Sequence, residues 1–199
     1  FRIFNADGGD VGQCGNGVRC LARFVHDRGL TDKRVIRLQS RESVMTLTLH
    51  EDGGVTADMG IPEFEPARIP FAAPARQVVY DLDIGKKHVQ IGVLALGNPH
   101  AVQVVDELSD VDIAAQGPLI EHHPHFPDRV NAGFMQVLDR EHIRLRVHER
   151  GVGETLACGS GACAAVVSGR QRGLLADTVE VTLPGGKLCV SWPGEGKPV

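Results

Sequence analysis

Apolar and polar positions alternate between the strand period and the helix period, and two of the helical runs follow a Cys-Gly motif. Phe1–Phe4 is a short apolar strand candidate, followed by the turn-rich loop Asn5-Ala6-Asp7-Gly8-Gly9-Asp10. Val18, Leu21, Ala22 and Val25 then keep helical spacing, which predicts a helix from about Gly15 to Arg28 with Gly29 as its C-terminal cap. Val35–Leu38 is strand-like. In Val44–His50, Met45, Leu47 and Leu49 alternate with Thr46 and Thr48, the pattern of a half-buried strand. Glu51-Asp52-Gly53-Gly54 turns into a further strand, Val55–Met59. Residues 60–76 carry Pro62, Pro66, Pro70 and Pro74, and read as an irregular crossing segment and a domain boundary.

Strands resume at Val78–Asp83 and His88–Leu96. Gly97-Asn98-Pro99-His100 forms a tight turn into Ala101–Val105. Val111–His122 predicts a helix stopped early by Gly117-Pro118. Val130–Leu138 and His142–His148 pair as a hairpin, with Ile143, Leu145 and Val147 on one face and Arg144, Arg146 and His148 on the other. A glycine-rich loop from Arg150 to Thr155 leads to the second Cys-Gly motif and its helix. Val179–Leu183 and Lys187–Trp192 close the pattern around Pro184-Gly185-Gly186.

Composition narrows the function classes. A hydrophobic fraction of 42% over 199 residues supports a packed core rather than disorder. The formal charge is −4 with no basic block, so no nucleic-acid partner is expected. No apolar run approaches the ~20 residues of a membrane helix, and no membrane partner is expected. The chain starts on Phe1 and stops on Gly196-Lys197-Pro198-Val199, and both ends are expected to be cut from a longer protein. Five cysteines, an odd count, argue against a secreted disulfide framework and for reduced thiols. Cys20 and Cys163, inside the helices, and Cys189, in a strand, are expected to be packing residues. His122, His123 and His125 flank Pro124 without a complete ligand set, so no metal site is expected.

The chemistry concentrates at Cys14-Gly15-Asn16-Gly17 and its echo Cys158-Gly159-Ser160-Gly161, each leading into a predicted helix. A thiol there faces the unpaired N–H groups of a first turn, which favour a thiolate or a bound carboxylate. A depressed thiol pKa is the expectation. Two such thiols suit stereoinversion, in which one thiolate takes an α-proton while the other thiol delivers one to the opposite face. The helix ends would hold the charge that builds on the α-carboxylate.

Cys14-Gly15-Asn16-Gly17-Val18-Arg19 and Gly153-Glu154-Thr155-Leu156-Ala157-Cys158-Gly159-Ser160-Gly161-Ala162 resemble the two catalytic motifs of the diaminopimelate epimerase family. Gly97-Asn98-Pro99-His100, Val130-Asn131 and Glu149-Arg150 fit its other signature turns. The resemblance covers the whole chain. It implies an α/β (α+β) fold of two pseudo-symmetric domains, each a mostly antiparallel strand barrel around a central helix, with the site in the cleft between them. Residues 1–59 would be the later part of the first domain and residues 60–199 the second.

The same resemblance implies a cytoplasmic isomerase that needs no pyridoxal, other cofactor or metal. It would interconvert LL- and meso-2,6-diaminopimelate on the route to lysine and peptidoglycan. Its partner would be a small diamino diacid, and a homodimer is a candidate assembly. Cys14 and Cys158 would be the catalytic pair. Gly15, Asn16, Gly159 and Ser160 would hold the reacting carboxylate. Asn5, Asn98, Asn131 and Arg150 would bind the substrate's polar groups, Glu149 its ammonium, and His100 would join a proton network near the thiols. Two alternatives stay open: a proline racemase-like or hydroxyproline epimerase-like isomerase of the same architecture, and a non-catalytic thiol redox or anion-binding module. The long, doubly charged distal end of a diamino diacid suits Asn131 and Arg150 better than either cyclic substrate does.

Overall fold

In the computed structural model, residues 1–4, 10, 11, 15–40 and 44–199 are described, with the backbone alone at residues 3, 4, 10 and 11. Asn5 and Cys14 lie outside the described residues, as does most of the loop that joins them. The chain divides into two compact units, Phe1–Gly60 and Ile61–Val199.

In the first unit, β1 (Ile3–Phe4) pairs antiparallel with β2 (Asp10–Val11). Helix α1 runs Gly15–Asp27 and buries the stripe made by Gly15, Val18 and Ala22. It ends as predicted at Gly29, whose φ of 65° lets Gly29 N–H reach His26 O (2.9 Å) and Leu30 N–H reach Val25 O (3.0 Å). The strands β3 (Val35–Gln39), β4 (Val44–Leu49) and β5 (Val55–Ala57) form an antiparallel sheet in that order. Its alternation follows the sequence: Met45, Leu47 and Leu49 are buried, and α1 packs against all three strands.

The second unit starts with the proline-rich crossing. It forms an isolated bridge to the sheet to come, Glu63 to Ala95, and makes a short 3-10 turn at Pro66–Arg68. There follow β6 (Tyr80–Ile84), β7 (Lys87–Ala95), β8 (Pro99–Val105), α2 (Ile113–Glu121), β9 (Asn131–Val137), β10 (His142–Glu149), β11 (Gly153–Thr155), α3 (Gly159–Gln171), β12 (Thr178–Leu183) and β13 (Gly186–Ser191). One sheet takes the order β13-β12-β10-β9-β8-β7-β6, with β11 also paired to β10. Two neighbours are parallel, β8 with β9 and β10 with β12; the rest are antiparallel.

The mixed α and β class and the central helix hold, and the geometry of closure differs. Helix α3 is buried at every residue from Gly161 to Gly169 and packs against β7, β8, β9, β10 and β13, so the sheet curls around it. Among the described residues the ladder ends at β6 and β13 rather than closing into a barrel. The β6 edge carries the exposed Asp81 and Asp83, charges that discourage further strand pairing. The other face of this sheet is covered by α2, over a core that includes Leu82, Ile91, Ile113, Ile120 and Phe134. The Asp112 side chain caps α2 by accepting from Ala115 N–H (3.0 Å). The helix passes through Gly117-Pro118 instead of stopping there, because one more turn buries Ile120 and Glu121 against the sheet.

Helix α3 and β7 approach closely at Gly92. A Cβ on Gly92 would lie 2.1 Å from Ser168 Oγ, and that hydroxyl is buried without a hydrogen-bond partner. Gly92→Ala is therefore expected to destabilise the unit by about 1–3 kcal/mol in urea unfolding. Adding Ser168→Ala should recover part of the loss by removing the clashing oxygen.

Candidate active site around the start of α3

Cys158 begins α3. Its backbone is extended (φ −123°, ψ 111°), so its side chain folds back on the first turn and Sγ accepts from Gly161 N–H at 3.4 Å. A Cβ on Gly161 would come within 3.2 Å of that sulfur and 3.1 Å of Val147, so the glycine leaves the thiol its place. The N–H groups of Gly159 and Ser160 open the helix and, as in any first turn, have no acceptor within it. Ser160 Oγ lies 3.7 Å from Sγ.

Three strand ends supply the surroundings. Register puts His100 on β8 opposite Asn131 on β9, and Glu149 ends β10 on the same face as Val147, the face that meets α3. His100 Nε2 is 3.0 Å from Asn98 Oδ1 and 3.1 Å from Ser160 Oγ. Asn131 spends its amide on the chain itself. Nδ2 donates to Pro99 O (3.0 Å) and Oδ1 accepts from Arg150 N–H (2.9 Å). Arg150 Nη1 donates to Asp128 O at 2.9 Å, with the side chain otherwise exposed. Glu149 accepts the Thr155 hydroxyl and lies within hydrogen-bonding reach of the Cys158 thiol.

The electrostatics reverse the expected thiol acidity. Burial pushes the Cys158 pKa up to about 12, and the Glu149 charge adds to the effect. The Gly161 N–H and the Ser160 hydroxyl pull the other way and lose. The helix end offers partial charges, whereas burial removes the thiolate's whole hydration shell. Cys158 is therefore a thiol at neutral pH. His100 is neutral too: burial, then the Arg150 charge, lowers its pKa to about 3.

The structure thus gathers Asn98, His100, Asn131, Glu149, Arg150, Cys158, Gly159 and Ser160 at one end of the second unit's sheet. Gly15 and Asn16 open α1 in the first unit, where Asn16 Oδ1 accepts from Arg19 Nη2 at 2.6 Å. Thr155 and Glu121 belong to the surroundings and were not singled out in the sequence. Thr155 sits inside the quoted motif, and its hydroxyl beside a glycine-rich turn was the available signal. Nothing near Glu121 in sequence marks it. Cys163 is buried as expected, while Cys20 and Cys189 are exposed, each on the outer face of its element. His148 keeps to the polar face of β10, yet α2 covers it and buries it. Among the described residues no cluster of three metal-ligating side chains occurs, and no helix is long and apolar enough to cross a membrane.

Two outcomes test these environments. Glu149→Gln removes a negative charge that opposes thiolate formation, so Cys158 should titrate at lower pH, read by ultraviolet thiolate absorbance against a Cys158→Ser blank. His100 binds its proton far more weakly folded than unfolded, so its contribution to stability is present above pH 6.5 and lost as pH falls toward 3. Urea unfolding of wild type should lose about 2 kcal/mol more between pH 7 and pH 5 than unfolding of His100→Gln does.

Known proteins share both the sequence and the fold. A family model described as diaminopimelate epimerase matches residues 1–65 and 92–199. A diaminopimelate epimerase from Nitrosomonas eutropha is 57% identical over 199 residues, covering 100% of this chain and 72% of that protein. One from an Azoarcus species is 58% identical with the same coverage. Among solved structures, a hydroxyproline epimerase from Agrobacterium vitis aligns with a TM-score of 0.69 at 15% identity, covering 100% of this chain and 65% of that one. A protein described as a probable proline racemase from Agrobacterium radiobacter aligns with a TM-score of 0.68 at 16% identity over the same shares. These two matches speak to the fold alone. With most of its residues matched by the family model and relatives above 50% identity along its full length, the chain belongs to the diaminopimelate epimerase family.

Proposed function

We propose that the protein is an isomerase that interconverts LL- and meso-2,6-diaminopimelate by passing an α-proton between two cysteines. Family membership supports the substrate. The observation that carries the chemistry is the buried Cys158 thiol capping α3 beside Glu149, where burial raises its pKa. Cys14, assigned on its sequence context, starts as the thiolate. Its sulfur takes the α-proton as the C–H bond breaks. Cys158 then releases its S–H proton to the opposite face of the carbon. The enzyme is left with a Cys14 thiol and a Cys158 thiolate, the state that runs the reverse reaction.

The surroundings of Cys158 suit both its states. Glu149 accepts the thiol's hydrogen bond and stabilises the protonated form. Once the proton has left, Gly161 N–H and the Ser160 hydroxyl remain as donors to the sulfur. The first-turn N–H groups of Gly159 and Ser160 suit the charge building on the reacting carboxylate. We assign Arg150, exposed on its turn, to the distal carboxylate, and Asn98 and Asn131 to the frame of that pocket. Neutral His100 serves as a hydrogen-bonding link between Asn98 and Ser160. Gly15 and Asn16 are assigned the matching role at α1, and Asn5 a substrate contact. A cytoplasmic setting suits a pair of thiols that must stay reduced.

The reaction returns protons through solvent, so LL-diaminopimelate in heavy water should gain deuterium at its α-carbon, followed by NMR. Cys158→Ala should abolish conversion of LL- to meso-diaminopimelate, with a loss of at least about 10³-fold, while Cys14 alone can still exchange the proton it faces. Retained conversion in that variant would overturn the two-thiol reading. Exchange on proline or hydroxyproline, and none on diaminopimelate, would move the protein to the cyclic-substrate reading.

A further inference from the structure

The sheet face opposite the thiol holds a second polar cluster, and it grips the same turn that presents Arg150. Glu121, at the end of α2, is 3% exposed and His148, on β10, is 7% exposed. His148 Nε2 and Glu121 Oε2 are 2.8 Å apart, and Glu121 Oε1 accepts from Gly151 N–H at 2.8 Å. Arg129 Nη1 stands 3.5 Å from Oε1 and His122 Nε2 stands 3.7 Å from it. Gly117 makes the room, since a Cβ there would lie 2.5 Å from the His148 ring. Desolvation works against the Glu121 charge. The hydrogen bonds from Gly151 and His148 prevail and hold its pKa below the ordinary carboxylate range.

The held segment is a β-turn. Val152 N–H donates to Glu149 O at 3.0 Å, and Gly151 occupies the third position with φ 74°. The two central amides of that turn go to two side chains from elsewhere in the chain. Arg150 N–H is taken by Asn131 and Gly151 N–H by Glu121. His148 and Glu149 are neighbours on one strand, so they point to opposite faces. A carboxylate fixed on the α2 face thereby sets the backbone from which Glu149 and Arg150 reach the thiol face.

We infer that Glu121 is a positioning residue for substrate binding: with His148 it clamps Gly151 N–H and so sets where Arg150 meets the distal carboxylate. The inference rests on the epimerase reading above. Its effect should fall on affinity more than on proton transfer, because Arg150 binds a group that does not react.

The test compares wild type, Glu121→Ala and Glu121→Gln in the full protein. Steady-state kinetics on LL-diaminopimelate would be paired with hydrogen exchange of the Gly151 amide and with thermal melting. Glu121→Ala should raise KM about tenfold while kcat stays within about threefold, and should free the Gly151 amide to exchange. Glu121→Gln, whose amide oxygen can still accept from Gly151, should restore most of both. If the alanine variant does not fold, Glu121→Asp replaces it, since its shorter reach cannot serve Gly151 and His148 together. An unchanged Gly151 amide would overturn the clamp. A freed amide with unchanged KM, or a fall in kcat at constant KM, would overturn the role in binding. Wild type without turnover would sink the epimerase reading and the catalytic role with it, and the amide measurement would still decide whether Glu121 holds the turn.

Discussion

The contest between burial and the helix end at Cys158 governs this site. A first turn presents partial positive charge worth roughly 0.3–1 kcal/mol to an exposed anion nearby, up to about 2 in partly buried geometry. Removing a thiolate from water costs more, and a carboxylate stands beside it. The thiol therefore holds its proton until a ligand changes the balance. Everything around it follows from keeping that environment dry and ordered. Gly161 leaves space for the sulfur, α3 is buried along nine consecutive residues, and the neighbouring strands supply polar groups only at their ends.

Local chemistry was legible in the sequence and long-range pairing was not. The starts of α1 and α3 were readable because a Cys-Gly-x-Gly stretch before an apolar run is a short-range signal. Alternation placed Met45, Leu47 and Leu49 in the core for the same reason. Gly117-Pro118 looked like a stop because propensity speaks for the isolated helix. The burial of Ile120 and Glu121 decided otherwise, and no local rule contains it. Glu121 itself is 27 residues from His148 and 30 from Gly151. The sequence motif for Cys158 carried the idea of a helix dipole but not the desolvation that overrides it, which depends on how deeply the strands enclose the thiol.

Asn131 shows how one buried side chain can tie two turns together. Its amide bonds the backbone of Pro99 on one side and of Arg150 on the other. It thus ties the Gly97-Asn98-Pro99-His100 turn to the Glu149-Arg150 turn. The second unit presents its polar groups from turns that are cross-linked through side chains rather than from the helix alone. Such ties fix loops that would otherwise sample many conformers.

The adjacency of His148 and Glu149 has an evolutionary consequence. One residue serves the layer under α2 and the next serves the layer around α3, so the phase of β10 encodes which group goes where. Side chains along that strand can drift in identity while the strand keeps its length. A single-codon deletion within β10 would exchange the two, sending an imidazole toward the sulfur and a carboxylate under the helix. Indels should therefore be purged from this strand far more strictly than substitutions, and descendants of the gene should vary in length at the surface turns instead.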